Sequence, residues 1–227
     1  TMELKGYQEF KMMLSLSIGE TQDEMEQFTG NNISVEDSFT DLAKKVLNTN
    51  INALMETYSL IREDKMDQAI RMLHESRRIF FYGVGASMLT AMKAMNKFLR
   101  IENKVVCIQD SHMQAMAAAT MSAEDTAVLF SYSGATKDTI HVARVAKKAG
   151  AKIICITRFV KSPLSTYADV TLLSGANEGP LQGGSTSAEI SQLFLVDLIY
   201  TEYYRRYFDK CSQNNARTSA SVLEKLC

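Results

Sequence analysis

Five short apolar runs recur between residues 78 and 173, and each ends close to a small or polar residue. They occupy residues 78–82, 104–108, 126–130, 152–156 and 170–173. Such runs, rich in β-branched and aromatic residues and apolar on both faces, are typical of buried parallel strands. Helical patterns such as 88–99 and 138–148 separate them. The alternation predicts a doubly wound α/β fold, a five-stranded parallel sheet with flanking helices.

Helical periodicity on both sides of this region predicts further helices. One apolar helical face is indicated by residues that recur at alternating steps of four and three: Leu47, Ile51, Leu54, Tyr58 and Ile61. Asp64 is expected to cap a second helix, whose apolar positions are Met66, Ala69, Ile70 and Leu73. A long helix is predicted over 188–207 and a last one over 216–226. The first apolar face is expected in the core, with a subunit interface as the alternative.

Composition is that of a globular protein, with 46% hydrophobic and 22% charged residues among 227. A net charge of −1 gives no overall electrostatic case for nucleic-acid binding. Acidic residues are concentrated between Glu20 and Asp37, a stretch without any basic residue. The charge pattern predicts a short leader (1–19), an acidic linker (20–38) and a main domain (39–227).

Cysteine spacing and hydropathy limit the classes of protein further. The four cysteines show no Cys-x-x-Cys pair, so neither a metal site nor a disulfide framework is predicted. No cofactor is expected. Cys107 and Cys155 lie in apolar runs and are expected to be reduced core thiols of a cytoplasmic protein. No apolar stretch of 18 residues and no signal peptide occurs, so no membrane span is expected.

The residues that follow the apolar runs are the first candidates for chemistry, because open parallel sheets bind ligands beyond the carboxyl ends of their strands. Ser131, Ser133 and Thr136 place three hydroxyls around Gly134, between a predicted strand and a helix. Hydroxyls and free N–H groups at a helix N-terminus favour an anion such as phosphate. A serine-rich turn with an ordinary N-cap is the alternative.

The segment 83–87 (GVGAS) forms a second loop, in which two glycines permit a tight turn and Ser87 can reach the same edge. Other loops follow at 110–112 and 157–158. A dinucleotide-binding motif would need a third glycine where Met88 stands. Glu102 lies at the right distance to bind a ribose, but Met88 argues against that hypothesis.

The segment 83–87, together with 131–138 (SYSGATKD), resembles the sugar isomerase (SIS) domain over residues 41–207. Residues 110–112 (DSH) and 192–200 (QLFLVDLIY) resemble the RpiR/MurR-type bacterial transcriptional regulators within that group. The leader 4–11 (LKGYQEFK) is similar to the segment that closes their helix-turn-helix domain, so 1–19 is expected to be the remnant of that domain.

This resemblance implies a flavodoxin-like sheet and a regulator that senses a phosphorylated sugar and controls carbohydrate-metabolism genes. Ser87, Ser131, Ser133 and Thr136, with Gly134 in the same loop, would hold the phosphate, and His112 would approach the sugar. Homodimers or tetramers are expected. Operator DNA would be bound only through the N-terminal domain, most of which is missing from this sequence.

An aldose–ketose isomerase is the alternative function, because SIS domains also occur in such enzymes. That reaction needs a base, for which the candidates are His112, Glu178 and Glu189. None is convincing from its context, so no enzyme is expected. Many related regulators have a Ser-Arg pair where Ser187 is followed here by alanine and Glu189, and a capping box from Thr186 to Glu189 would explain the glutamate.

Overall fold

The computed structural model describes residues 33–176 and 186–223 of the chain. Seven helices and five strands occupy these residues. In chain order they are α1 (Phe39–Ser59), α2 (Glu63–Glu75), β1 (Arg78–Tyr82), α3 (Ala86–Phe98), β2 (Val105–Cys107), α4 (Ser111–Ala119), β3 (Asp125–Phe130), α5 (Lys137–Lys148), β4 (Lys152–Thr157), β5 (Val170–Leu173), α6 (Thr186–Arg206) and α7 (Phe208–Leu223). A short 3-10 helix, Ser165–Tyr167, precedes β5.

The five strands form one parallel sheet in the order β2-β1-β3-β4-β5. This order is that of the flavodoxin-like doubly wound folds and confirms the predicted fold class. Each strand lies within a residue or two of its predicted position. Short apolar runs are good strand predictors here because both faces of the sheet are covered.

Alternating side chains of the strands build one core on each face of the sheet. In β1, Ile79 and Phe81 pack with residues of α2, α3, α6 and α7. Their neighbours Phe80 and Tyr82 pack on the opposite face with residues of α4 and α5. The sheet is therefore the central layer of three, and its rims are the places where side chains reach solvent.

Two local predictions about helices are wrong. Asp64 does not cap α2, because the helix begins one residue earlier, with Arg62 as its N-cap and no side-chain cap hydrogen bond. The last helix begins at Phe208 rather than near residue 216. Its early turns are held by tertiary contacts, such as the buried Cys211, that periodicity alone does not show. The predicted apolar positions of α2 are all buried.

Most of the apolar face of α1 is exposed, contrary to the prediction that it lies in the core, although Ile61 just beyond the helix does pack against the core. The helix packs on α6 through the buried Ala53 and on the loop after β5 through the buried Thr57. Leu47, Ile51 and Tyr58 remain 57%, 45% and 66% exposed. The apolar stripe lies on a neighbouring side of the helix, so this narrow contact through small residues leaves most of the stripe exposed.

Some predictions fall on residues outside the described ranges. The leader 1–19, most of the linker 20–38 and Glu178 belong to this group, so the domain boundaries stay predictions. Across the described ranges, none of the helices combines the length and hydropathy needed to cross a bilayer.

Candidate functional site

The predicted loops after β1 and β3 leave from the same edge of the sheet. The two strands pair in parallel, with Tyr82 opposite Leu129. Because β2 pairs with the other side of β1, the strand order reverses at this point. Ligands of open α/β sheets bind at such a switch point. The structure thus brings Ser87 to the same edge as the hydroxyls of residues 131–136.

Helices α3 and α5 start at this edge without a side-chain cap. Gly85, the N-cap of α3, has no side chain, and Thr136, the N-cap of α5, makes no capping hydrogen bond. The neighbouring α4 differs, because the Asp110 carboxylate accepts a hydrogen bond of 2.9 Å from the Met113 N–H. Two helix N-termini therefore present first-turn N–H groups and positive dipole ends beside the switch point.

The loop 131–136 is a compact turn with internal hydrogen bonds. The Gly134 N–H donates to the Ser131 carbonyl at 3.2 Å, and the Ala135 N–H donates to Ser133 Oγ at 3.2 Å. Ser131 is buried, with its Oγ 3.4 Å from Thr136 Oγ1. Three hydroxyls and the start of α5 are thereby gathered in one turn, as the sequence predicted.

Gly134 is the one residue of this loop that cannot carry a side chain. Its φ is 62°, in the left-handed region that favours glycine. A Cβ atom there would lie 2.3 Å from Ser162 Oγ and 3.0 Å from Thr157 Oγ1. The Leu164 N–H donates to the Gly134 carbonyl at 2.9 Å. The loop is consequently packed against the segment that follows β4.

Tyr132 ties the loop to two further strand ends. Its carbonyl accepts hydrogen bonds from the Arg158 N–H at 3.0 Å and from Thr157 Oγ1 at 3.1 Å. Its hydroxyl donates to the Ala176 carbonyl at 2.7 Å. The loop after β3 is thus fixed to the ends of β4 and β5.

Gln114 holds the β1 and β2 ends together, a role that the sequence analysis missed. The side chain is buried in α4, and its Nε2 donates to the Gly83 carbonyl at 3.0 Å and to the Ile108 carbonyl at 2.8 Å. A buried amide that joins two loop carbonyls stabilises the position of both loops. In the sequence, the only sign of this role is a glutamine that lies one turn into a helix.

His112 lies in the first turn of α4 and is exposed. It follows β2, so it stands one strand further from β3 than Ser87 does. Five of the six predicted site residues therefore share two adjacent loops, and His112 flanks them. Glu102 is excluded as a ribose ligand, because it is buried before β2, at the opposite edge of the sheet, and accepts hydrogen bonds from Tyr203 and Lys210.

Arg158 brings a positive charge to this edge. Its guanidinium forms an ion pair of 2.6 Å with Glu56 of α1, across 102 residues of sequence. The sequence places Arg158 after the fourth strand but cannot show this partner. Within residues 33–176 and 186–223 no cluster of three or more His, Cys, Asp or Glu has the arrangement of a metal site.

The chain resembles known proteins over almost its whole length. The SIS domain family matches residues 72–202. An uncharacterized HTH-type transcriptional regulator of Haemophilus influenzae is 33% identical over 225 residues, which cover 99% of this chain and 78% of the relative. The HTH-type transcriptional regulator RpiR of Escherichia coli K12 is 30% identical over 220 residues, which cover 97% of this chain and 74% of RpiR.

A solved structure of a similar protein has the same fold. The NanR protein of Vibrio vulnificus, complexed with ManNAc-6P, superposes with a TM-score of 0.84 at 26% identity, covering 98% of this chain and 77% of NanR. The chain belongs to the SIS-domain family, and within it to the HTH-type transcriptional regulators of the RpiR group. This confirms the resemblance that the two loop motifs indicated.

Proposed function

We propose that this chain is the effector-binding part of a transcriptional regulator that senses a phosphorylated sugar and controls carbohydrate-metabolism genes. The observation that carries the proposal is the pair of uncapped helix N-termini, α3 and α5, on neighbouring strands at the switch point. Hydroxyl groups accompany both helix starts.

Phosphate is the group that such a site favours. Backbone N–H groups and the helix dipole stabilise an anion, and each neutral hydroxyl adds a directional hydrogen bond. Ser87, Ser131, Ser133 and Thr136 would supply the hydroxyls, and Gly134 would let the backbone approach the ligand. His112, which flanks these loops, would contact the sugar. The NanR protein of similar structure is complexed with ManNAc-6P, a phosphorylated amino sugar, which supports this class of effector.

Binding without turnover is part of the proposal. Isomerisation would need a base at the reacting carbons of the sugar. The proposal assigns His112, an exposed residue of the first turn of α4, to contact with the sugar and not to proton transfer. The relatives that match the chain end to end carry the names of regulators. Contact with operator DNA would require the helix-turn-helix domain, of which residues 1–19 would be the last segment.

Thermal unfolding with a panel of phosphosugars tests the proposal. A ligand at about 100 times its Kd stabilises a protein by about 2.7 kcal/mol. For a chain of this size we expect Tm to rise by roughly 5–10 °C. Ser133→Ala should weaken binding by roughly tenfold to hundredfold, the loss of one hydrogen bond to a charged group. Ser221→Ala, at an exposed serine of α7, is the matched control and should bind normally.

Further measurements separate the alternatives. His112→Ala should reduce discrimination among sugars and leave the affinity for inorganic phosphate unchanged. Equal affinity of Ser133→Ala and the unmodified protein would contradict the site. Conversion of a hexose or pentose phosphate by the purified protein would instead show an isomerase, and stabilisation by NAD alone would indicate a nucleotide site.

A further inference from the structure

Tyr132 lies in the middle of the loop 131–136, but the proposed phosphate site does not use its side chain. Its neighbours Ser131 and Ser133 are the residues whose hydroxyls would hold the phosphate. The Tyr132 side chain is half-buried and packs against a small cluster of alanines from α1, the loop after β5 and α6, namely Ala53, Ala176 and Ala188. Tyr132 therefore joins the loop 131–136 to the place where α1 meets α6.

A first chain of hydrogen bonds runs from the Tyr132 hydroxyl to α1. The hydroxyl donates to the Ala176 carbonyl at 2.7 Å. One residue earlier, the Gly175 N–H donates to Thr57 Oγ1 at 2.8 Å, and this hydroxyl donates in turn to the Ala53 carbonyl at 2.7 Å. A Cβ atom on Gly175 would lie 2.6 Å from the Thr57 N atom. The loop after β5 thus lies directly against the backbone of α1.

A second connection starts at the Tyr132 backbone and reaches the neighbouring residue of α1. The Arg158 N–H donates to the Tyr132 carbonyl at 3.0 Å, and the Arg158 guanidinium forms an ion pair of 2.6 Å with the Glu56 carboxylate. The two charged side chains are only 21% and 34% exposed, and a sheltered ion pair is screened less by salt than one at the surface. The two connections therefore reach α1 at consecutive residues, Glu56 and Thr57.

The other end of α1 is tied to the segment that precedes the helix. Lys45 Nζ forms an ion pair of 2.7 Å with the Asp37 carboxylate, and the Asp41 N–H donates to Ser38 Oγ at 3.2 Å. Residues 37 and 38 are the last of the predicted acidic linker. A displacement of α1 would therefore be passed on to the linker that leads to the predicted leader 1–19.

A phosphate in the loop 131–136 would act on the surroundings of Tyr132 directly. Ser133 Oγ accepts a hydrogen bond of 3.2 Å from the Ala135 N–H. A phosphate would compete for both of these groups, because anions bind hydroxyls and backbone N–H groups at a helix start. Tyr132 precedes Ser133, so a loop that rearranges or becomes more rigid changes the hydrogen bonds of Tyr132 as well. Two sites that influence the order of the same element are energetically coupled.

We propose that Tyr132 couples phosphate binding in the loop 131–136 to the position and order of α1, and through α1 to the chain that precedes it. The inference rests on the proposed phosphate site and names the residue that links this site to the helix. Tyr132 is a positioning residue in this proposal, because its side chain contacts the surroundings of α1 and not the phosphate. Such a coupling is reciprocal, so a change at the α1 end alters the affinity for phosphate.

Hydrogen–deuterium exchange tests the proposal, with inorganic phosphate as the probe and sodium chloride at equal ionic strength as the reference. In the unmodified chain, phosphate should slow exchange both in the loop 131–136 and in α1. Tyr132→Phe keeps the ring and removes the hydroxyl donor, so the loop should stay protected while the protection of α1 decreases. Adding Glu56→Gln weakens the second connection and should abolish the protection of α1. Tyr58→Phe is the matched control at an exposed tyrosine of α1 and should behave like the unmodified chain.

The outcomes separate this inference from the proposed function. If phosphate leaves exchange in the loop 131–136 of the unmodified chain unchanged, the phosphate site is wrong, and the coupling is wrong with it. If the loop is protected but α1 is not, the site stands and the coupling is wrong. Full protection of α1 in the doubly substituted chain would also show that Tyr132 does not carry the coupling.

Thr57→Val tests the same coupling from the α1 end. It removes the hydroxyl that joins α1 to Gly175 and should raise the Kd for inorganic phosphate by about fivefold, the lower end of typical coupling strengths. Thr57→Ser keeps the hydroxyl and should bind phosphate normally. The Kd is obtained from thermal unfolding across a phosphate series, and circular dichroism confirms that each variant is folded.

A double-substitution cycle completes this test. In the Tyr132→Phe background, Thr57→Val should change the Kd for phosphate much less, because the hydrogen bond through which it acts is already lost. An equal increase of Kd in both backgrounds would show that α1 influences the site without Tyr132, and the proposal would be overturned.

Discussion

Single residues at the candidate site differ in how strongly their surroundings constrain them. Gly85 and Gly134 have nearly the same φ, 60° and 62°. Around Gly85 there is nothing within 4 Å of an added Cβ, whereas at Gly134 that atom would collide with the Ser162 side chain. A serine-rich loop is visible in the sequence. The steric difference between the two glycines is not, because it depends on Ser162, 28 positions after Gly134.

Alanine substitution at both glycines should separate backbone strain from steric overlap. Each variant places a side chain in a conformation that costs roughly 1–3 kcal/mol. Gly134→Ala should lose more free energy of unfolding than Gly85→Ala, because Ser162 must also move. Urea denaturation measures both losses. An equal loss of unfolding free energy for the two variants would show that Ser162 moves aside without destabilising the protein.

At the scale of elements, α7 is docked by a buried polar network. Glu102 accepts hydrogen bonds of 2.6 Å from the Tyr203 hydroxyl and from Lys210 Nζ. His74, in the last turn of α2, stacks on Tyr207 at a centroid distance of 3.6 Å. Periodicity predicts each helix separately. Only the packing shows that α2, α6 and α7 meet the segment that leads into β2 here.

The environment of His74 makes stability depend on pH. Burial lowers the pKa of His74 below its ordinary value of 6.5, and Lys104 and Lys210 lower it further, against the opposing charges of Glu102 and Glu75. Below pH 6.5 the unfolded chain takes up a proton that the folded chain resists, so stability falls as pH falls. His74→Phe keeps an aromatic ring on Tyr207 and should reduce the loss of urea midpoint between about pH 7.5 and about pH 5.5.

The control for this experiment is His141→Phe, which changes an exposed histidine of α5. It should retain the pH slope of the unmodified protein. If both variants show that same slope, His74 does not contribute to the pH dependence.

At the scale of the whole molecule, the described residues form two large cores that share one sheet. Cys155 is buried in the core formed with α4 and α5, and Cys211 is buried in the core formed with α6 and α7. Burial raises the pKa of Cys155 to about 12 and that of Cys211 to about 11. Both thiols are therefore protected and unreactive in the folded chain.

Thiol labelling along a urea series tests whether the two cores unfold together. Because the strands contribute side chains to both faces, Cys155 and Cys211 should become reactive at the same urea concentration. Mass spectrometry of the labelled peptides measures each cysteine separately. Two distinct midpoints would show that one helical layer detaches before the sheet unfolds.

The sequence alone determined the strands, most of the helices and the two loops of the candidate site. Hydrophobic periodicity reports which side chains are buried, and glycines and hydroxyls after each strand mark the functional edge. Motif residues such as Ser133 were identified because they lie within a few positions of each other.

Only the tertiary structure decided which distant residues meet. Gln114 bridges two loops, Arg158 pairs with Glu56, and α1 turns small residues inward while its large ones stay exposed. These contacts join segments far apart in the chain, and their formation depends on strand order and helix packing. Local patterns of hydrophobicity contain no information about such pairings, because many arrangements of the same elements would satisfy them equally well.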